Sequence, residues 1–200
     1  MITAEQSDLY LEHVRKSVGG SLLQEKSALD IGFVKHMLNT LRALGVKIPS
    51  DEEFLEFQTT AIGPMLYLPS GLGPEKRLLA GVHGFEHVSQ FQRGEYEDDA
   101  GIPEGFAMAF LYLSNGQARV RLEQRANRAA WEVAHIGLKK SLPTVEEVCG
   151  IFETGYFLSD DDKKLSKELA LQWLTEVRYD IADTAAGRAC LEKIGTLEAP

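Results

Sequence analysis

Two histidines four positions apart in a helical segment, His83 and His87, constrain this chain more than any other feature of its sequence. Residues four apart lie one turn above each other on the same face of an α-helix. Both imidazoles can therefore reach a single metal ion from a helix predicted at residues 75–93. Such a pair needs a second element that brings a further ligand against the same face. Glu123, in a later helical segment, could supply that ligand.

The helical stripe around Glu123 is built mainly of small residues. At about 100° of rotation per residue, Asn127, Arg119, Ala126 and Ala130 share this stripe. Alanines let two helix backbones approach closely, as a shared ligand set would require, although they also serve ordinary helix packing. Two imidazoles, one carboxylate and an open position form an arrangement that zinc uses in metal-assisted hydrolysis.

The rest of the chain predicts a mainly α-helical α+β fold. Residues 59–71, TTAIGPMLYLPSG, are rich in β-branched and aromatic residues and predict a strand. Pro64 places this strand at a sheet edge, because proline cannot donate a hydrogen bond to the ladder. Residues 94–104 read as an acidic loop. Apolar spacing, glycine stops and capping boxes predict the helices. They lie at 4–17, 27–44, from 51 onward, 75–93, 105–113, 117–138, 144–154, 160–181 and 184–193.

Composition argues against several functions. A chain of 200 residues with 44% apolar and 26% charged residues is typical of one folded domain. Its net charge of −9 argues against nonspecific binding to nucleic acid or anionic membranes. No apolar run reaches bilayer length and the N-terminus has no signal-peptide pattern, which predicts a cytoplasmic location. Cys149 and Cys190 have no paired metal spacing and are expected to be buried free thiols.

Two stretches of the sequence carry a family resemblance: VHGFEHVSQF at 82–91 and RVRLEQRANRAA at 119–130. They resemble the gluzincin group of zinc metallopeptidases, especially its small minimal-domain members. In that group an HExxH helix follows an edge strand, and the glutamate opening an E-x-x-A-D/N motif is the third ligand. The resemblance therefore implies a zincin-like core in which His83, His87 and Glu123 bind zinc.

The same resemblance suggests supporting residues and domain limits. Asn127 stands where the group often has an aspartate that supports a ligand histidine, and Gln90 matches its H-V-x-Q continuation. Arg119 is expected either to pair with a carboxylate or to polarise a substrate carbonyl. The core is assigned to residues 58–138 of a single compact domain. It is flanked by an N-terminal helical segment, 1–57, and a C-terminal helical segment, 139–200.

The sequence departs from the group at Gly84, where the group has the glutamate that takes a proton from metal-bound water. Glu86 is the nearest carboxylate, and H-x-x-E-H formally matches the inverted zincin motif. On a helix, positions 84 and 86 lie about 80° to opposite sides of the histidine face. Glu86 could therefore act as the base only if water and substrate approach from the opposite side.

Three interpretations of the motif stay open. The leading one is a zinc metallohydrolase that cleaves peptide bonds in a peptide or protein, with Glu86 as its base. The alternative is a catalytically inactive zincin-fold protein that serves as a structural or binding module. The third is that no metal is bound. Small acidic proteins of this style also occur in phage genomes, so the resemblance keeps a virion-associated role open. The sequence does not indicate the oligomeric state.

Overall fold

The computed structural model describes residues 2–25, 59–93, 115–155 and 158–198, with isolated positions (32, 35, 36, 39, 42, 43 and 50) between the first two ranges. The predicted acidic loop at 94–104 and the predicted helix at 105–113 lie outside the described residues. The predictions for 27–44 and from 51 onward lie almost entirely outside them. Within the described ranges the chain is mainly helical with one small sheet, which confirms the α+β fold class.

The helices begin where the sequence supplies capping residues. Thr3 and Gln6 form a capping box at the start of α1, and Ser159 and Asp162 form another at the start of α5. Asn115 caps α3, which continues into a π-helical turn, Val133–Gly137. The helices are α1 Ala4–Ser17, α2 Pro74–Arg93, α3 Gly116–Glu132, α4 Val145–Gly155, α5 Asp160–Arg178 and α6 Ala185–Glu198.

The sheet has three described strands, β1 Leu22–Glu25, β2 Thr60–Ile62 and β3 Met65–Leu68, in the order β1-β3-β2. β1 runs parallel to β3, whereas β2 and β3 form an antiparallel hairpin. The single edge strand predicted at 59–71 is therefore wrong in part, because β3 is central in the described sheet. Gly63, at a φ of 55°, and Pro64 form the turn, which keeps the proline out of the ladder.

Two hydrophobic clusters hold the described elements together. The larger cluster joins α1, α2, β3 and α6, and its fully buried side chains include Leu11, Leu66 and Phe85. The smaller cluster joins α3, α4 and α5 around Val120 and Leu174. α2 also packs against α3, so the two helices that carry the predicted ligands are direct neighbours. Among the described residues, no helix combines the length and apolar character needed to cross a membrane.

Candidate metal centre

His83, His87 and Glu123 meet between α2 and α3. The Nε2 atom of His83 lies 3.6 Å from Oε2 of Glu123, and Nε2 of His87 lies 3.5 Å from Oε1 of the same carboxylate. The possible ligand atoms of the three residues all lie within 4.8 Å of one another. The two imidazoles meet edge to face with centroids 4.9 Å apart. Two neighbouring helices thus place two nitrogens and one carboxylate around a common point.

The three side chains of the cluster differ in exposure. The side chain of Glu123 retains 6% of its exposure, whereas those of His83 and His87 retain 21% and 14%. The carboxylate of Glu123 is therefore the most buried of the three groups, and the two imidazoles are more accessible.

Gln90 fixes the orientation of His87. Its side-chain Nε2 donates to the backbone oxygen of Leu122 at 3.1 Å, and its Oε1 lies 2.9 Å from Nδ1 of His87. Because the Leu122 carbonyl can only accept, the amide must present its oxygen to the imidazole, and Nδ1 must carry the proton. In the neutral ring of His87 the lone pair is then on Nε2, the atom that faces Glu123.

The surroundings shift the two histidines in opposite directions. Burial, with a smaller contribution from the charge on His87, lowers the pKa of His83 from 6.5 to about 4, against opposing effects of Glu123 and Asn127. Burial also lowers the pKa of His87, but the Glu123 carboxylate and the hydrogen bond with Gln90 outweigh it, so this pKa is raised above 6.5. His83 is therefore neutral at pH 7, with its hydrogen bond to Asn127.

Glu86 lies beside the cluster but is bound to other groups. Its carboxylate is fully buried, Oε1 accepts from Nε of Arg125 at 3.1 Å, and Oε2 accepts from the backbone N–H of Ala186 at 2.9 Å. Both oxygens of the predicted base thus have partners. Arg119, one turn before Glu123 on α3, is half-buried.

Gly84 faces the sheet rather than the cluster. A Cβ atom at this position would overlap Cδ1 of Leu66 and lie 2.8 Å from Cγ2 of Thr59. The glycine therefore lets the backbone of α2 pack directly on β3. The position at which the gluzincin group has its base is filled here by the side chain of a central strand.

Sequence reasoning missed a second buried carboxylate, Glu132 on α3. It is fully buried and accepts from Nε of Arg128 at 3.0 Å, from the backbone N–H of Asp183 at 2.8 Å and from the hydroxyl of Thr184. The only signal for it in the sequence is the run TAAG at 184–187, a capping residue followed by small residues at the start of a predicted helix.

Comparisons with known proteins identify no relative of this chain. Searches against models of protein families, curated proteins and solved structures find no significant match. The function of this protein must therefore be inferred from the geometry and chemistry of the cluster formed by His83, His87 and Glu123.

Proposed function

We propose that this protein binds one zinc ion through Nε2 of His83, Nε2 of His87 and the carboxylate of Glu123, within a zincin-like core. The convergence of these three donors carries the proposal. Zinc takes nitrogen and oxygen ligands at about 2.0–2.2 Å in tetrahedral sets, so two of its ligands lie about 3.4 Å apart. The separations of 3.6 Å from His83 Nε2 to Oε2 and of 3.5 Å from His87 Nε2 to Oε1 are close to this spacing, and the three donors all lie within 4.8 Å of one another.

A simple ion pair explains the same side chains less well. Separations of 3.5 and 3.6 Å are longer than good hydrogen bonds between nitrogen and oxygen, which are about 2.7–3.2 Å. His83 is also neutral at pH 7, because its pKa is lowered to about 4, so it offers a lone pair rather than a charge. Glu123 raises the pKa of His87, as an ion pair would, so it is the neutral His83, directed at the second oxygen of the same carboxylate, that favours a metal ion.

We further infer that the zinc site is catalytically inactive, the second of the functions that the sequence suggests. Zinc would polarise a bound water or carbonyl oxygen, but hydrolysis of a peptide bond also needs a group that takes the proton. Glu86 has no exposed surface, and both its oxygens are bound by Arg125 and Ala186. At position 84, Leu66 fills the space that a base would need. These contacts favour a catalytically inactive module, and a peptide or protein is the partner that the family resemblance suggests for it.

One observation favours the alternative, a zinc metallohydrolase acting on peptide bonds. Both histidine side chains are partly exposed, at 21% and 14%, which leaves a side of the cluster for water and a substrate carbonyl. In this alternative Arg125 must release Glu86 so that the carboxylate can act as the base. The two functions differ in activity and share the same zinc ligands.

Metal analysis tests the proposed ligands. The protein purified without chelator, and after dialysis against zinc, should contain about one zinc per chain, as a three-ligand site binds a single ion. His87→Ala should lose most of this zinc. His135→Ala is the matched control, because His135 lies beyond α3 and contacts the backbone oxygen of Lys140. Equal zinc contents in the parent and in His87→Ala would contradict the proposal.

Peptide hydrolysis separates the two functions. We expect the zinc-loaded protein to leave a mixed peptide library intact, with a metallopeptidase of the same zinc content as positive control. If the parent cleaves peptides and Glu86→Gln does not while keeping its zinc, the metallohydrolase is the correct function. Activity retained in Glu86→Gln would assign the base to another group.

A further inference from the structure

Two buried carboxylates hold the start of α6, and they come from the two helices that carry the candidate ligands. Glu86 of α2 accepts the backbone N–H of Ala186, and Glu132 of α3 accepts those of Asp183 and Thr184. The first N–H groups of a helix have no partner within the helix and carry partial positive charge. Glu86 satisfies the N–H of Ala186, Glu132 satisfies those of Asp183 and Thr184, and Arg125 and Arg128 pair with these two carboxylates.

Glu86 connects three helices at the metal centre. Along α2 it lies between His83 and His87, while its partner Arg125 lies two residues after Glu123 on α3. Its second oxygen is bound to α6 through Ala186. A fully buried carboxylate is stable only while its hydrogen-bond partners stay in place. A change in the spacing of α2 and α3 therefore alters the position of the group that holds α6.

The first turn of α6 packs tightly against the buried carboxylate of Glu132. A Cβ atom at Gly187 would overlap Oε2 of Glu132 and Oγ1 of Thr184. Ala186 and Cys190 are fully buried in the same cluster as α2. The first turn of α6 therefore has one docked position, set by the two carboxylates.

We propose that Glu86 is a positioning residue that couples zinc binding to the docking of the first turn of α6. The proposal rests on the proposed zinc site. Zinc held by both helices fixes the spacing of α2 and α3, and with it the carboxylate of Glu86 and its bond to Ala186. Linkage is reciprocal, so a docked α6 tightens zinc binding by the same factor by which zinc favours docking. In this role Glu86 contacts neither zinc nor substrate.

Hydrogen exchange of individual amides tests the coupling. The amide of Ala186 is itself the donor to Glu86, so its exchange rate reports this one bond. In the parent, zinc should slow exchange at Ala186 by about tenfold or more, the size of a typical coupling between two sites. The amide of Leu174 in α5 is the internal control, and zinc should slow its exchange much less.

Variants then assign the coupling to Glu86. In Glu86→Ala the zinc effect on Ala186 should disappear, whereas Glu86→Gln, whose amide oxygen can still accept from Ala186, should retain part of it. In the reciprocal experiment, Gly187→Ala should weaken zinc binding in calorimetry. Gly195→Ala, on the same helix with open space around its Cβ position, should not. If Glu86→Ala does not fold, a reduced zinc effect on Ala186 in Glu86→Gln together with weaker zinc binding in Gly187→Ala still supports the proposal.

The results that overturn the coupling are distinct from those that overturn the zinc site. If calorimetry shows zinc binding but exchange at Ala186 is unchanged, the coupling is wrong and the zinc site stands. Equal slowing at Ala186 and Leu174 would mean that zinc raises global stability only, which also overturns the coupling. If zinc slows exchange at Ala186 as much in Glu86→Ala as in the parent, Glu86 is not the connecting residue. If calorimetry detects no zinc binding by the parent, both proposals fail.

Discussion

Gln90 determines which nitrogen of His87 faces the carboxylate of Glu123. Its amide bridges Nδ1 of the imidazole, at 2.9 Å, and the backbone oxygen of Leu122 on the neighbouring helix, at 3.1 Å. The bridge holds the ring with Nε2 directed into the cluster. It also ties α2 to α3 immediately beside the candidate ligands. The site is therefore oriented by a residue that contributes no ligand atom.

Gln90→Ala should weaken zinc binding by about tenfold or more, the usual cost of removing a group that orients a metal-bound histidine. Competition with a chromophoric chelator measures this affinity. Gln92→Ala is a suitable control, since the Gln92 side chain lies on the same helix and binds the backbone oxygen of Gly19 instead. Equal losses in the two variants would show that Gln90 supports the helix rather than His87.

Zinc affinity should fall as the pH is lowered, and His87 should set the range. The pKa of His87 is raised above 6.5, chiefly because the charge of Glu123 outweighs the effect of burial, so zinc must displace its proton. The pKa of His83 is lowered to about 4, and this ring needs no deprotonation above pH 5. Below the pKa of His87 we expect about a tenfold loss of affinity for each pH unit. Calorimetry between pH 5.5 and 8 tests this, and a flat profile would contradict it.

Gly84→Ala should destabilise the fold, although alanine favours helix over glycine. The added methyl group overlaps Leu66 and approaches Thr59, and such overpacking typically costs about 1–3 kcal/mol. Gly150→Ala in α4 is the control: its Cβ position is open, so we expect a gain of up to about 1 kcal/mol. Urea unfolding measures both variants. A stability of Gly84→Ala equal to or above the parent would show that α2 can move away from β3.

Cys190 should resist thiol reagents in the folded protein. Burial raises the pKa of its thiol to about 12, so almost no thiolate forms at pH 8. Cys149 forms no disulfide and is only half-buried, so the expectation of a buried thiol holds for Cys190 alone. A disulfide reagent followed by peptide mass spectrometry should modify Cys149 first and Cys190 only after denaturant is added. Rapid modification of Cys190 without denaturant would contradict the docked position of α6.

Local signals in the sequence were sufficient for most described helices. Helical patterns over 4–17 and 160–181 predict α1 and α5, since such patterns depend only on residues close together in the chain, and the structure adds capping boxes at Thr3 and Ser159. β1 has no such signal. Leu22–Glu25 is a strand because it pairs with Met65–Leu68, about forty residues further along the chain, and a single sequence does not reveal that pairing.

The sequence likewise predicts some features of the candidate site and misses others. The spacing of His83 and His87 on one helix face is local, and the resemblance to gluzincins supplied Glu123 as their partner. The surroundings of Glu86 are not local, because the group that binds its Oε2, the amide of Ala186, is 100 residues away. Likewise, a side chain at position 84 is excluded because Leu66 occupies the space, and the sequence alone does not place Leu66 against α2.

Diffraction at the zinc absorption edge tests the central proposal most directly. Crystals of the zinc-loaded protein should give one strong anomalous peak between α2 and α3, at about 2.0–2.2 Å from Nε2 of His83, Nε2 of His87 and an oxygen of Glu123. Crystals of His87→Ala grown in the same way should lack it. An empty cluster in the parent, with His87 bonded directly to Glu123, would contradict the proposed zinc site.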